Sequence, residues 1–168
     1  LADRVAAGDA ICQSRATAAG LPLPISFRAW LSSSTVDAKD HVHFAGPWIR
    51  LDGVRIADSK DDLVDGELHT TMNQTETGEY DSSAMAWTGT GADGLVLNQT
   101  CSDWTSTEAW GWAGFGFLAG SEWTERSSFP CSSDTFQLYC LSVFPAILFV
   151  DDFESSDSDA WSLTQPAD

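Results

Sequence analysis

The spacing of apolar positions changes several times along this chain, and each change predicts a different element. In DAICQSRATAAG, residues 9–20, Ile11, Cys12, Arg15, Ala16 and Ala19 recur at i, i+4 spacing. Asp9 stands where an N-cap belongs and Gly20 where a left-handed cap belongs, so the pattern predicts a short helix with Cys12 on or beside its buried stripe. The following LPLP forbids more helix. Phe27 to Leu31 alternates large apolar with small or polar residues, as a half-buried strand does. Ser32 to Asp40 reads as a turn with one helical turn capped by Ser34 or Thr35. Trp48 to Ile56 reads as two short strands about an Asp52-Gly53 turn. Asp58 or Ser59 then caps a second short helix in SKDDLVDG, closing at Gly66.

The second half is less periodic. Residues 67–84 are polar and predict a surface excursion. Trp87 to Trp104 returns to strand-like material with Gly89, Gly91 and Gly94 in its turns. Residues 105–130 show no clear period and set Trp110, Trp112, Phe115, Phe117 and Trp123 among glycines. They predict a long irregular loop, either functional or packed on itself. Phe136 to Cys140 reads as a strand. Val143 to Val150 is apolar throughout, and an acidic tail, DDFESSDSDAWSLTQPAD, follows. No internal repeat is evident.

Composition narrows the class. With 168 residues, 43% hydrophobic and 20% charged, the chain suits one domain with a real core. Its formal charge of −17 repels phosphate backbones and anionic membranes, which excludes DNA, RNA and heparin-like polyanions as expected partners. It has no run of eighteen apolar residues, so no membrane insertion is expected. The four cysteines form no CxxC pair, which argues against a zinc ribbon or a thioredoxin-type site. They read as a disulfide framework with three possible pairings. Disulfides and tryptophan content place the protein outside the cell or at its surface. LADRVAAGDA has no signal-like apolar region, so the chain is expected to be a mature form with any signal removed.

Several motifs, in order, resemble a known family. Cys12 in an Ala-rich helix, Gly20-Leu21, SFRAWLSSS, AWTGTGADG leading to TCSDWTS, and the closing LYC resemble the endostatin domain of multiplexin collagens. Through GPWIRLDGVRIADSKDDLVDG the chain also resembles a bacterial surface-protein family of the same plan. The likeness covers residues 9–141. It implies an α+β, C-type-lectin-like fold, with two short helices flanking small, mainly antiparallel sheets. It also implies nested disulfides, Cys12 with Cys140 and Cys101 with Cys131. Endostatin's basic face and N-terminal histidine zinc site have no counterpart here, and neither is carried over. The sugar-binding motifs of calcium-dependent lectins are likewise missing from the fold region.

Candidate chemistry is sparse. His41 and His43 are spaced as strand neighbours facing one side, and with His69 or a carboxylate they would suit zinc, but two histidines are too few for a site. No nucleophile elbow or His-Glu-x-x-His occurs, and acid pairs such as Asp61-Asp62 and Asp151-Asp152 read as a solvated face, so no enzyme is expected. Trp104, Trp110, Trp112 and Trp123 form a candidate surface for carbohydrate or a protein partner, against the plainer reading of a small core under the loop. Asp151, Asp152, Glu154, Asp157 and Asp159 offer the oxygen ligands calcium prefers, making calcium the one cofactor considered; a plain acidic spacer is the other reading. Ala146, Ile147, Leu148, Phe149 and Val150 form an uncharged β-prone segment that must pack on its own sheet or a neighbour's. Sequons at Asn73 and Asn98 matter only in a glycosylating host.

These readings divide the chain into a domain at 1–141 and, at 142–168, an apolar strand with an acidic tail. They predict a non-enzymatic extracellular structural or adhesive module that contacts protein, including copies of itself, and assembles into a filament through its last strand. The alternative is a lectin-like receptor for carbohydrate or calcium.

Overall fold

The computed structural model describes residues 4–144. Helix α1, Arg4–Ala18, already runs through the position expected as its cap, Asp9. Its buried positions are Val5, Gly8, Asp9, Cys12 and Ala16, a stripe of helical period that faces strand β1, Phe27–Ala29. Asp9 is therefore not an N-cap. It lies inside the helix and accepts a hydrogen bond from the Ala29 backbone N–H (2.9 Å). His41 Nε2 lies 2.8 Å from the same oxygen and Arg28 Nε 3.5 Å from the other. Ile11, expected on the buried side, is 53% exposed. The helix closes as predicted, with Gly20 at φ +70° and the Leu21 N–H reaching the Ala16 carbonyl (2.9 Å), a Schellman arrangement.

The fold is small and mixed α+β. Helix α2, Ala38–His41, precedes strands β2, Trp48–Ile49, and β3, Arg55–Ala57, which pair across the predicted Asp52-Gly53 turn. Helix α3, Lys60–Leu63, is capped by Ser59, whose hydroxyl accepts from the Asp62 N–H. Strands β4, Met85–Trp87, β5, Trp110–Phe115, and β6, Ser127–Pro130, form an antiparallel three-stranded sheet. Strand β7, Cys140–Ser142, pairs antiparallel with β1, placing Phe27 opposite Ser142 and Ala29 opposite Cys140. Val143 beyond it is buried and its N–H reaches the Ser26 carbonyl, so the folded part runs past the boundary expected at residue 141.

The segment expected as an irregular loop thus holds two of the three strands of the largest sheet. Its glycines mark close backbone approach, not disorder. A Cβ at Gly114 would sit 1.8 Å from the Trp123 carbonyl oxygen, and one at Gly111 would sit 2.6 Å from Cys101 Sγ. The return from β5 to β6 lays Trp123 into the core against Trp30, their rings 5.3 Å apart. Three polar groups around this pair bond inside the core: the Trp30 indole N–H donates to Thr124 Oγ1 (2.9 Å), the Thr88 hydroxyl to the Thr124 carbonyl (2.7 Å) and the Tyr139 hydroxyl to the Trp123 carbonyl (2.8 Å), while the Trp123 indole N–H is buried without a hydrogen-bond partner among the described residues. Burial pushes the Tyr139 phenol well above its ordinary pKa. A second apolar cluster, Val5, Cys12, Ala29 and Leu31, holds α1 to β1.

Two disulfides close the architecture. Cys12–Cys140 joins α1 to β7, and Cys101–Cys131 joins the turn before β5 to the residue after β6. This is the pairing that the resemblance implied. Chain-entropy reasoning for loops of 128 and 30 residues gives about 5 and about 3.6 kcal/mol.

Candidate functional site

Part of the exposed apolar surface lines one groove. Its walls are the outer face of α1, the loop through Leu23, the β2–β3 hairpin and the residues of β7, enclosing about 1050 Å³. Four large apolar side chains that line it stay open to solvent: Ile11 (53%), Leu23 (47%), Leu51 (51%) and Phe144 (54%). Each is forced outward by its local position. Ile11 sits off the buried stripe of α1, Leu23 precedes a short 3-10 turn in a left-handed conformation (φ 47°), and Leu51 is at the hairpin tip. Phe144 follows β7 where the Ser142 hydroxyl bonds the Phe144 backbone on both sides, donating to its carbonyl (3.0 Å) and accepting from its N–H (3.3 Å).

The hairpin rim of the groove is held by charge. Arg50 meets both oxygens of Asp52 (3.2 and 2.8 Å) and lies over the Tyr80 ring, while the Tyr80 hydroxyl donates to Asp52 Oδ2. The Arg50 guanidinium, followed by the Tyr80 hydrogen bond, lowers the Asp52 carboxyl to a pKa of about 2. The same bond raises the Tyr80 phenol, because the hydroxyl donates to a carboxylate.

The four tryptophans proposed as one surface are separated by the structure. Trp123 is fully buried and is a core residue, contrary to the expectation of a ligand contact. Trp104 is half-buried, with its indole N–H on the Ser32 carbonyl (2.8 Å). Trp112 donates to Asn98 Oδ1 (3.0 Å), and Trp110, 51% exposed, is the open one of the four. Trp104 instead begins a run of neighbouring rings, Trp104–Trp87–Phe136–Phe129–Phe115–Phe117, with successive centroids 4.3 to 6.2 Å apart. Of the four, Trp104 thus joins an aromatic cluster and Trp123 the main core, while Trp110 stays open.

Trp104 is placed by an unusual turn. Cys101, Ser102, Asp103 and Trp104 all have φ between 53° and 61°, left-handed values that cost side-chain-bearing residues about 1–2 kcal/mol each. Asp103 holds the turn: its carboxylate accepts from the Ser34 N–H (2.7 Å), the Ser34 hydroxyl (2.6 Å) and the Thr100 hydroxyl (3.2 Å). Those bonds, Ser34 first, lower its pKa.

Metal-ligand types do not collect as the sequence suggested. His41 is taken by Asp9, and His43 is exposed near the His41 carbonyl. His69 joins Asp58 and Asp62, their donor atoms within 4.8 Å of one another. Sequence spacing gave no sign of this, because α3 and the turn after it create the proximity. These groups already have partners: Asp62 accepts from the Asp58 N–H (2.6 Å) and lies 3.2 Å from His69 Nε2, and Arg55 pairs with Asp58. The acids proposed for calcium, Asp151, Asp152, Glu154, Asp157 and Asp159, and the segment Ala146, Ile147, Leu148, Phe149 and Val150 lie outside the described residues. Asn73 lies half-buried in the groove wall and Asn98 is exposed. No family model and no curated protein matches this chain.

Proposed function

We propose that this is a non-enzymatic extracellular module of C-type-lectin-like fold that acts by protein contact and assembles with its own kind through its C-terminal segment. The observation that carries this reading is the last described strand together with the sequence that follows it. Strand β7 belongs to a two-stranded sheet, pairing with β1 alone among the described strands, and the chain leads from it into Pro145–Val150, six residues without a charge. An uncharged, β-prone sequence of this kind suits strand addition, a mode in which backbone hydrogen bonds give affinity and alternate side chains give specificity. Two disulfides support an oxidising extracellular setting. His41, bound to Asp9 against β1, has a structural use, which supports the non-enzymatic reading.

Light scattering on residues 1–168 and on the chain without 145–168 tests the proposal. Concentration-dependent assemblies of the full chain should vanish on truncation, leaving a monomer with both disulfides intact. A full chain that stays monomeric at millimolar concentration refutes it. Trp110, with Trp112 and Asn98 beside it, favours a second reading, carbohydrate stacking by a lectin-like receptor. Glycan-array binding that Trp110→Ala abolishes would select that reading.

A further inference from the structure

We infer that the groove lined by Ile11, Leu23, Leu51 and Phe144 is the seat of the Ala146–Val150 segment of a second copy of this chain. This rests on the self-assembly reading and names the surface that performs it. The groove's volume of about 1050 Å³ is at the top of the range of small-molecule pockets, roughly 300–1,000 Å³, and suits an extended peptide. Four exposed large apolar side chains in one concavity mark a surface that expects an apolar partner. The chemistry of that partner is at hand: 24 residues follow Phe144, and they open with an uncharged β-prone run of about 20 Å if extended at 3.3 Å per residue.

The exit geometry favours a neighbour's segment over the chain's own. The Ser142 hydroxyl closes the turn at Phe144, and the Trp48 indole N–H occupies the Ser142 carbonyl (3.1 Å). The carbonyl and hydroxyl of Ser142 at the end of β7 are therefore already bonded, and the chain's own run begins three residues on with Pro145, which has no N–H to contribute. A segment from another copy is not tethered to that turn. The contact is head-to-tail, the groove of one molecule receiving the tail of the next. Such a contact does not close on itself unless the rotation happens to make a ring, so it propagates as a filament.

Complementation tests this on the full chain. One variant, Ile11→Arg with Leu51→Arg, spoils the groove at two exposed positions; the other, Ile147→Asp with Phe149→Asp, spoils the segment. Each alone should be monomeric at 18.1 kDa, and a mixture should give a one-to-one dimer of twice that mass, because a single intact groove and a single intact segment remain. If the groove variant assembles like the unmodified chain, the seat is wrong while self-assembly stands. If the two variants stay monomeric when mixed although the unmodified chain assembles, the groove is not the acceptor of a neighbour's segment. If the unmodified chain is itself monomeric, with residues 145–150 protected from protease, the segment covers its own groove and both proposals fall.

Discussion

Asp9 offers the sharpest test of how this fold is held, because its helix position argues for one role and its contacts for another. Replacing it with alanine removes a carboxylate that accepts from the Ala29 N–H and pairs with His41 and Arg28. Ala29 is fully buried, so its N–H would lose its partner where water cannot replace it, a cost of about 1–3 kcal/mol. Breaking a buried ion pair costs about 3–5 kcal/mol, but the Arg28 and His41 side chains keep 25% and 16% exposure and regain hydration, which pulls the figure down. About 3 kcal/mol in all is the expected loss. With an unfolding entropy near 2.1 cal/mol/K per residue, the folded part melts with about 0.3 kcal/mol/K, so calorimetry should show Tm lowered by about 10 °C. Asp9→Asn, which keeps an acceptor for Ala29, should lose about half as much. An unchanged Tm for Asp9→Ala would mean that the clamp between α1 and β1 carries no stability and that apolar contact alone docks the helix.

Other perturbations probe the remaining joints. Gly114→Ala forces a methyl onto the Trp123 carbonyl and should cost more than about 4 kcal/mol, seen as failure to accumulate oxidised, folded protein. Replacing Cys101 and Cys131 together by serine should lower stability by about 3–4 kcal/mol in urea titrations, and removing Cys12 and Cys140 should cost more, because that pair closes the longer loop. Asp52, Asp81 (through its hydrogen bonds from Ser83) and Asp103 are all held below their ordinary value of 3.8 in the folded state, so their contribution is present above that pH and is lost as pH falls through each lowered value, about 2 for Asp52. Acid titrations of Asp52→Asn should accordingly lose part of the pH dependence between 3.8 and about 2 and leave stability above pH ~5 with little further slope.

How much was legible in advance depended on whether a residue's role was set by near neighbours in sequence. The Asp52-Gly53 hairpin, the Ser59 cap and the Gly20 cap are local, and each appears where the pattern puts it. Asp9 misled because a polar residue before an apolar run has the look of a cap, whereas its partners Ala29 and His41 lie 20 and 32 positions away. The segment WGWAGF was unreadable as a strand for a similar reason. Its glycines break the alternation of side chains, and only the folded neighbours, Cys101 Sγ and the Trp123 carbonyl, explain why no Cβ is tolerated there. Among the four tryptophans, composition could not separate Trp123, sealed against Trp30, from Trp110, open to solvent.

The same contrast bears on function. Residues whose partners lie inside the fold are accounted for: Trp123 by Trp30, Asp103 by Ser34, His41 by Asp9. Ile11, Leu23, Leu51 and Phe144 come from separate elements, converge on one groove, and remain open at about half their surface. Random surface exposure scatters such side chains singly. Their convergence beside Phe144, the last described residue, is the observation behind the proposed docking surface; on that proposal, disrupting Leu51 should change assembly while leaving the melting temperature of the monomer nearly unmoved.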